Sequence, residues 1–339
     1  MNSTIPNDIL EAAVVQKAKL DINWIKEKLR YSNIASHALD TSCYKTSAEE
    51  TAYALVKFGE QAKMLCAKNK VATNPKLIGV LGTGDSQSIF RSKIHHGIEH
   101  FAKDGYIALF PEDIAWDNMH QLASVRINWV VSSVAIPLAE YMKKEFGIPY
   151  FAAIPIGARA MFIWRNQVNR MMQNTSAKIL DVPPIAMPAK KQKRVLVVGD
   201  PILTAGIKRY FMAMEGYVKV DRAIYTPIPS FQTFCTQVTK DEYASGLHDE
   251  VLPIIDSPIL FKDTQAWREL AAQYDIIVCD KLLQLCLGQV VTPELWINIP
   301  DGILSTGLVE SEDYTIFGKK GAAWLRAVQN IHTEESPMM

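Results

Sequence analysis

From Lys76 onward the chain is a succession of short apolar runs, each followed by a stretch with helical spacing, and this alternation restricts the fold more than any other feature. Leu77-Ile78-Gly79-Val80-Leu81 has no polar position, as expected of a strand covered on both faces. It is ended by Gly82-Thr83-Gly84-Asp85, and Ser88 to Lys103 has helical character. Tyr106 to Phe110 is a second run, and Asn128 to Val131 a third, with Ser132 or Ser133 as N-cap of a helix over Ala135 to Phe146. The next strand lies between Pro149 and Pro155. Val195 to Val198 opens a second series: Gly199-Asp200-Pro201 is a turn, with Asp200 as N-cap and Pro201 at the first position of a helix to Met214. Lys219 to Ile224, Ile276 to Cys279 and Trp296 to Ile299 read as further strands, and Gly321 to Ile331 as a closing amphipathic helix. Strands separated by helices predict parallel sheets with both faces covered.

The interval Met187 to Arg194 is polar, basic and broken by proline, and a linker is expected there. Ahead of the first strand, residues 7 to 30 have Ile9, Ala13, Val14, Ala18, Ile22 and Ile25 at helical spacing. A second helix starts near Ser47, which with Glu50 forms a capping-box pattern, and Thr73-Asn74-Pro75 breaks the chain. The expected fold class is therefore α/β, with two Rossmann-like three-layer domains of parallel sheet and an N-terminal helical appendage. Residues 1–75 are the helical segment, 76–187 and 188–310 the two αβ domains, and 311–339 a C-terminal helix and tail. The helical segment is too short to bury its apolar faces alone, so it should form an interface with its own αβ domains or with a second subunit.

A chain of 339 residues, 48% hydrophobic, suffices for two or three cores. Its 36 basic and 36 acidic side chains cancel, which argues against nucleic acid or an anionic membrane as partner. The PAKKQKR run is accordingly read as a solvated face. The N-terminus shows neither a basic and apolar leader nor a long apolar span, so a cytoplasmic location is expected. Five scattered cysteines do not make a disulfide framework and are read as thiols or metal ligands.

Gly82, Gly84, Asp85 and Ser86 stand past the carboxyl end of a strand and before a helix, where backbone amides can receive an anion or polar group. GTGDSQ has Gln87 where a dinucleotide fingerprint has its third glycine, and a tight turn with an Asp or Ser cap is an equal reading. Ser132-Ser133 and Gly199-Asp200 are the corresponding strand ends, and ligands of such sheets bind outside those ends, so an interdomain cleft is the expected site. Trp129, Val130 and Val131 should be buried, with Ser132 facing that cleft. Cys279 ends a strand and either brings a thiol to the cleft or packs as a small hydrophobe. Cys235 and Cys286 have no ligand-spaced partner. His96-Gly97-Ile98-Glu99-His100 matches an H-x-x-E-H zinc motif, but without a third-ligand signature it reads better as a surface histidine cluster.

Taken together, IGVLG at 78–82, RINWVVSSVAIPLAEYMKKEFGIPYFAAIPIG at 126–157, VLVVGDPILTAGIKRYF at 195–211, YDIIVCD at 274–280, Ile299-Pro300-Asp301 and FGKKGAAWLRAVQNI at 317–331 resemble the nitrogenase component 1 family in order as well as in kind. The resemblance covers about residues 76 to 332 and implies a shortened member lacking most of the first domain. Thr41-Ser42-Cys43, followed by Ala52-Tyr53-Ala54-Leu55, is similar to the first cluster cysteine and its helix, whereas the next cysteine, in a His-Gly-Pro-x-Gly-Cys loop, has no counterpart. Cys66 lies at comparable distance in a different context. Ser132 stands where nitrogenase α chains carry the cysteine that ligates the iron–molybdenum cofactor, and a hydroxyl is a poor soft-metal ligand, so that cofactor and dinitrogen reduction are not expected.

By the resemblance, Cys43 and Cys66 are the candidates for holding an iron–sulfur cluster, with a dimer supplying four thiolates by symmetry, or else are unrelated packing cysteines. Two functions follow. One is a nitrogenase-like oxidoreductase or metal-cofactor assembly protein acting on a metal cluster or tetrapyrrole in the cleft. It would draw electrons from a separate ATP-driven iron–sulfur partner, since no G-x-x-x-x-G-K-[ST] occurs in the chain. The other is a non-catalytic module that binds a metal complex or small ligand in the same cleft and has lost the redox cluster. Either implies a homodimer, or a heterodimer with a related chain, joined through the N-terminal segment.

Overall fold

The computed structural model describes residues 47–67, 71–83, 91, 93–173, 188–225, 257–280, 283–284, 287, 291–299 and 315–334. In chain order these form helix α1 (Ser47–Cys66), strand β1 (Leu77–Leu81), α2 (His95–Lys103), β2 (Ile107–Leu109), β3 (Ile127–Val130), α3 (Ile136–Phe146), β4 (Tyr150–Ala152) and α4 (Ala158–Gln173). They continue with β5 (Lys191–Val198), α5 (Pro201–Met214), β6 (Tyr217–Tyr225), β7 (Ile259–Phe261), α6 (Thr264–Ala271), β8 (Ile276–Cys279), β9 (Leu295–Asn298) and α7 (Gly318–Glu334). The first sheet has the order β2-β1-β3-β4 and the second β7-β6-β5-β8-β9. Every pairing is parallel, as the uninterrupted apolar runs require. The order reverses between β1 and β3 in one sheet and between β5 and β8 in the other.

Side-chain alternation assigns each sheet two buried faces. In the first, Trp129 is fully buried among Phe101, Trp164 and Phe317, at ring-centroid separations of 5.3 to 5.6 Å, and its indole N–H donates to the Ala153 carbonyl at 2.7 Å. Gly97 of α2 leaves the room that Trp129 and Phe317 occupy. On the other side α1 packs along α3 and the 3-10 segment Trp116–Ser124, with Phe58 edge-on to Trp116 and Gly59 against Leu138 and Tyr141. The described part of the N-terminal segment is thus a layer helix of the first sheet.

In the second sheet Leu196, Val198, Tyr225, Ile277 and Cys279 point to one cluster with Phe261 and Trp267. Val195, Val197, Val220, Ile276 and Val278 point the other way and join a cluster that runs without a break into the core of the first sheet. Helix α5 fills the seam, and all its residues from Pro201 to Phe211 are buried, Lys208 and Arg209 among them. Gly206 allows this, because a Cβ there would collide with the Ile154 carbonyl oxygen beyond β4.

Two sequence expectations need correction. Lys191 to Arg194 belong to β5 rather than to a linker, because their backbone pairs with β6, Lys191 opposite Tyr217 and Arg194 opposite Lys219. Beside that ladder Lys191 meets Glu215 at 3.0 Å, Lys193 pairs with Glu294, and the Arg194 backbone N–H donates to Asp275 at 2.6 Å. Neither Ser132 nor Ser133 caps a helix through its side chain, since a 3-10 turn, Ser133–Ala135, precedes α3. The C-terminal helix α7 packs on α4 and on β9 of the second sheet. There the Gly318 N–H donates to the Pro155 carbonyl at 2.8 Å, and Arg326 reaches Glu215 at 3.0 Å. Helices α4 and α6 and strand β7 were not anticipated. Trp129, Val130 and Val131 are buried as expected.

Candidate functional site

The carboxyl ends of β1, β3 and β5 meet at one place. Gly82, just past β1, has φ +88°, and a Cβ there would lie 3.0 Å from the Cβ atoms of Ser132 and Ala135, so glycine lets the end of β1 lie against the end of β3. Val131 donates its N–H to the Leu81 carbonyl at 3.0 Å and carries the pairing to the last residue before Ser132. Thr83 and Ser132 are buried beside it.

Across the seam stands Asp200, with no exposed surface. Its Oδ1 caps α5, accepting from the Ile202 N–H at 2.8 Å and the Leu203 N–H at 3.4 Å, with Pro201 at the first helical position as the sequence predicts. Its Oδ2 accepts from the Ser132 hydroxyl at 3.0 Å and the Ser133 N–H at 2.8 Å, so one carboxylate joins the two sheets. Burial drives the Asp200 carboxyl above its ordinary pKa, and the donors from Ser133, Ile202 and Ser132 oppose that rise. A group shifted this way favours the fold most in its neutral form, and that contribution fades as pH rises through the raised pKa.

Ser132, Ser133, Gly82 and Asp200 thus come together in a buried contact at the seam between the two sheets, and Gly199 directly precedes Asp200. Gly84, Asp85, Ser86, Cys43, Cys235 and Cys286 lie outside the described residues. Cys279 ends β8, but its side chain packs in the apolar layer with Trp267 and Leu283. Asp280, one residue on, is fully buried at the reversal point of the second sheet. Arg222, buried in β6, donates to the Pro201 carbonyl at 3.3 Å, and its signal in sequence was a charge inside an otherwise strand-like run. Cys66 lies near the end of α1, its thiol 4.0 Å from the His120 carbonyl, and burial pushes that thiol up. In the H-x-x-E-H motif Glu99 is engaged by histidines of its own helix, His96 at 2.7 Å and His95 at 3.4 Å. Among the described residues no group of three or more His, Cys, Asp or Glu side chains is arranged to hold a metal ion. No described helix is long and apolar enough to cross a membrane.

Two parallel-sheet α/β units meeting at their strand ends define a nitrogenase-like fold. Among solved structures the chain is similar to nitrogenase Cp1 at pH 6.5, with a TM-score of 0.51 and 12% identity over 86% of this chain and 66% of that one. This chain therefore spans just under two thirds of that protein's length, and the likeness shows the fold alone. An ornithine carbamoyltransferase from Thermus thermophilus matches with 14% identity over 71% of this chain and 72% of its own, at a TM-score of 0.26 that carries no argument. The sequence matches no protein-family model and no curated protein.

Proposed function

We propose that this chain is a two-domain binding module of nitrogenase-like fold that holds a small ligand or metal complex at the carboxyl ends of its two sheets, without a redox cluster of its own. The convergence of the β1, β3 and β5 ends on the Ser132–Asp200 contact carries the reading, because ligands of parallel sheets bind where strand order reverses, and here one reversal point is joined to the other. The thiols argue in the same direction. Cys279 packs in an apolar core of the second sheet and Cys66 ends α1 with its thiol against the His120 carbonyl, so these two thiols do not face one point, as cluster ligation needs.

Likeness to nitrogenase Cp1 favours a second reading, an oxidoreductase or cofactor-assembly protein fed by a separate ATP-driven iron–sulfur reductase, with a cluster held by Cys43 in a dimer. Purification without oxygen, followed by an absorption spectrum and iron and sulfide analysis, separates the two. The binding-module reading expects a colourless protein without stoichiometric iron. A brown protein with iron and sulfide in stoichiometric amount, lost on Cys43→Ser, would overturn it in favour of the redox reading.

A further inference from the structure

We propose that Asp200 is an interdomain latch, which couples closure of the seam between the two sheets to the capping of α5. The latch stands whether or not a ligand binds at the seam. The first N–H groups of a helix have no partner within it, and those of Ile202 and Leu203 depend on Asp200 Oδ1 at 2.8 and 3.4 Å. The same carboxylate, through Oδ2, holds the Ser133 N–H at 2.8 Å and the Ser132 hydroxyl at 3.0 Å. A carboxylate is planar and rigid, so it cannot follow the Ser132–Ser133 turn outward and still face Ile202 and Leu203.

Neither side has room to adjust. Ser132 is backed by Gly82, whose added Cβ would already stand 3.0 Å from the Ser132 Cβ and 3.2 Å from its nitrogen. On the α5 side the Pro201 carbonyl is held by Arg222 at 3.3 Å and by the Thr204 hydroxyl at 3.1 Å, and Gly206 lies against the Ile154 backbone. Opening the seam therefore strips the Ser133 N–H of its acceptor in a buried place or pulls the cap from α5. Closure of the domains and order in the first turn of α5 should rise and fall together.

Hydrogen exchange on the full chain tests this, read by mass spectrometry over peptides spanning 131–146 and 199–214. Ser133→Pro removes the N–H that Asp200 Oδ2 accepts, at the first position of a 3-10 turn, where proline is tolerated. Ser132→Ala removes only the hydroxyl and guards against a variant that fails to fold, with far-UV circular dichroism as the check. Both should raise exchange at Ile202 and Leu203 by about tenfold, the worth of one net hydrogen bond, although neither substitution touches α5. Asp200→Asn should raise exchange in both segments together. Unchanged α5 exchange in the folded Ser132 and Ser133 variants, or an Asp200→Asn effect confined to α5, would reduce Asp200 to an ordinary helix cap and overturn the latch.

Discussion

Replacing Gly97 by alanine should destabilise the protein, against the usual effect of that exchange in a helix. In the first turn of α2 alanine gains at most about 1 kcal/mol over glycine in backbone propensity. At Gly97, however, the new Cβ would stand 2.7 Å from Trp129 Cη2, 2.8 Å from Phe317 Cζ and 2.9 Å from Phe317 Cε2. Ordinary contact begins at 3.4 Å, so two rings must give way by more than half an ångström. Both are fully packed: Trp129 is fixed by its bond to Ala153 and by Phe101 and Trp164, and Phe317 by Trp129 and Trp164. Overpacking of a dense core costs about 1 to 3 kcal/mol, and with two rigid rings the upper end applies. The net is about 2 kcal/mol of destabilisation, or a fall of about 3 °C in Tm for a chain of this length. Thermal unfolding followed by circular dichroism measures it. A variant whose Tm rises, as propensity alone would have it, would refute the packing argument and with it the placement of α2 on Trp129.

Three further outcomes are expected. Gly206→Ala should likewise destabilise, by about 2 kcal/mol or more in urea unfolding, because the obstacle is the Ile154 backbone rather than a side chain, and a gain would show that α5 is not seated on the end of β4. Burial would raise the Glu215 carboxyl, but bonds from Tyr210, Lys191 and Arg326 outweigh it and hold the pKa below the ordinary 4.5. The stability it contributes is therefore complete above that pH and lost as pH falls through the depressed value, so the urea midpoints of the parent and Glu215→Gln should differ at pH 7 and converge in acid, and a constant gap would contradict the ion pairs. In native protein at pH 8, alkylation mapped by mass spectrometry should be slow at Cys66, whose thiol burial pushes up, and negligible at Cys279, and rapid labelling of Cys279 would mean that its core opens.

The sequence by itself determined the layers. Runs such as Leu77–Leu81 and Ile276–Cys279 have no polar position and no room for a solvent face, so they had to be strands inside parallel sheets, and Asp200-Pro201 fixed where α5 begins because a carboxylate before a proline meets the unpaired amides of a first turn. Where charge and composition pointed one way and pairing another, sequence misled: Lys191 to Arg194 read as a linker, and the ladder to β6, with Glu215, Glu294 and Asp275 placed to receive their donors, makes them strand. Helix α4 gave no start signal beyond Gly157, which has a positive φ and donates its N–H to the Gly318 carbonyl at 2.9 Å. The candidate site was legible as two separate strand ends, Ser132-Ser133 and Gly199-Asp200. That one carboxylate serves both was decided by the tertiary structure, since 67 residues separate Ser133 from Asp200 and no local pattern records which buried donor a cap's second oxygen will meet.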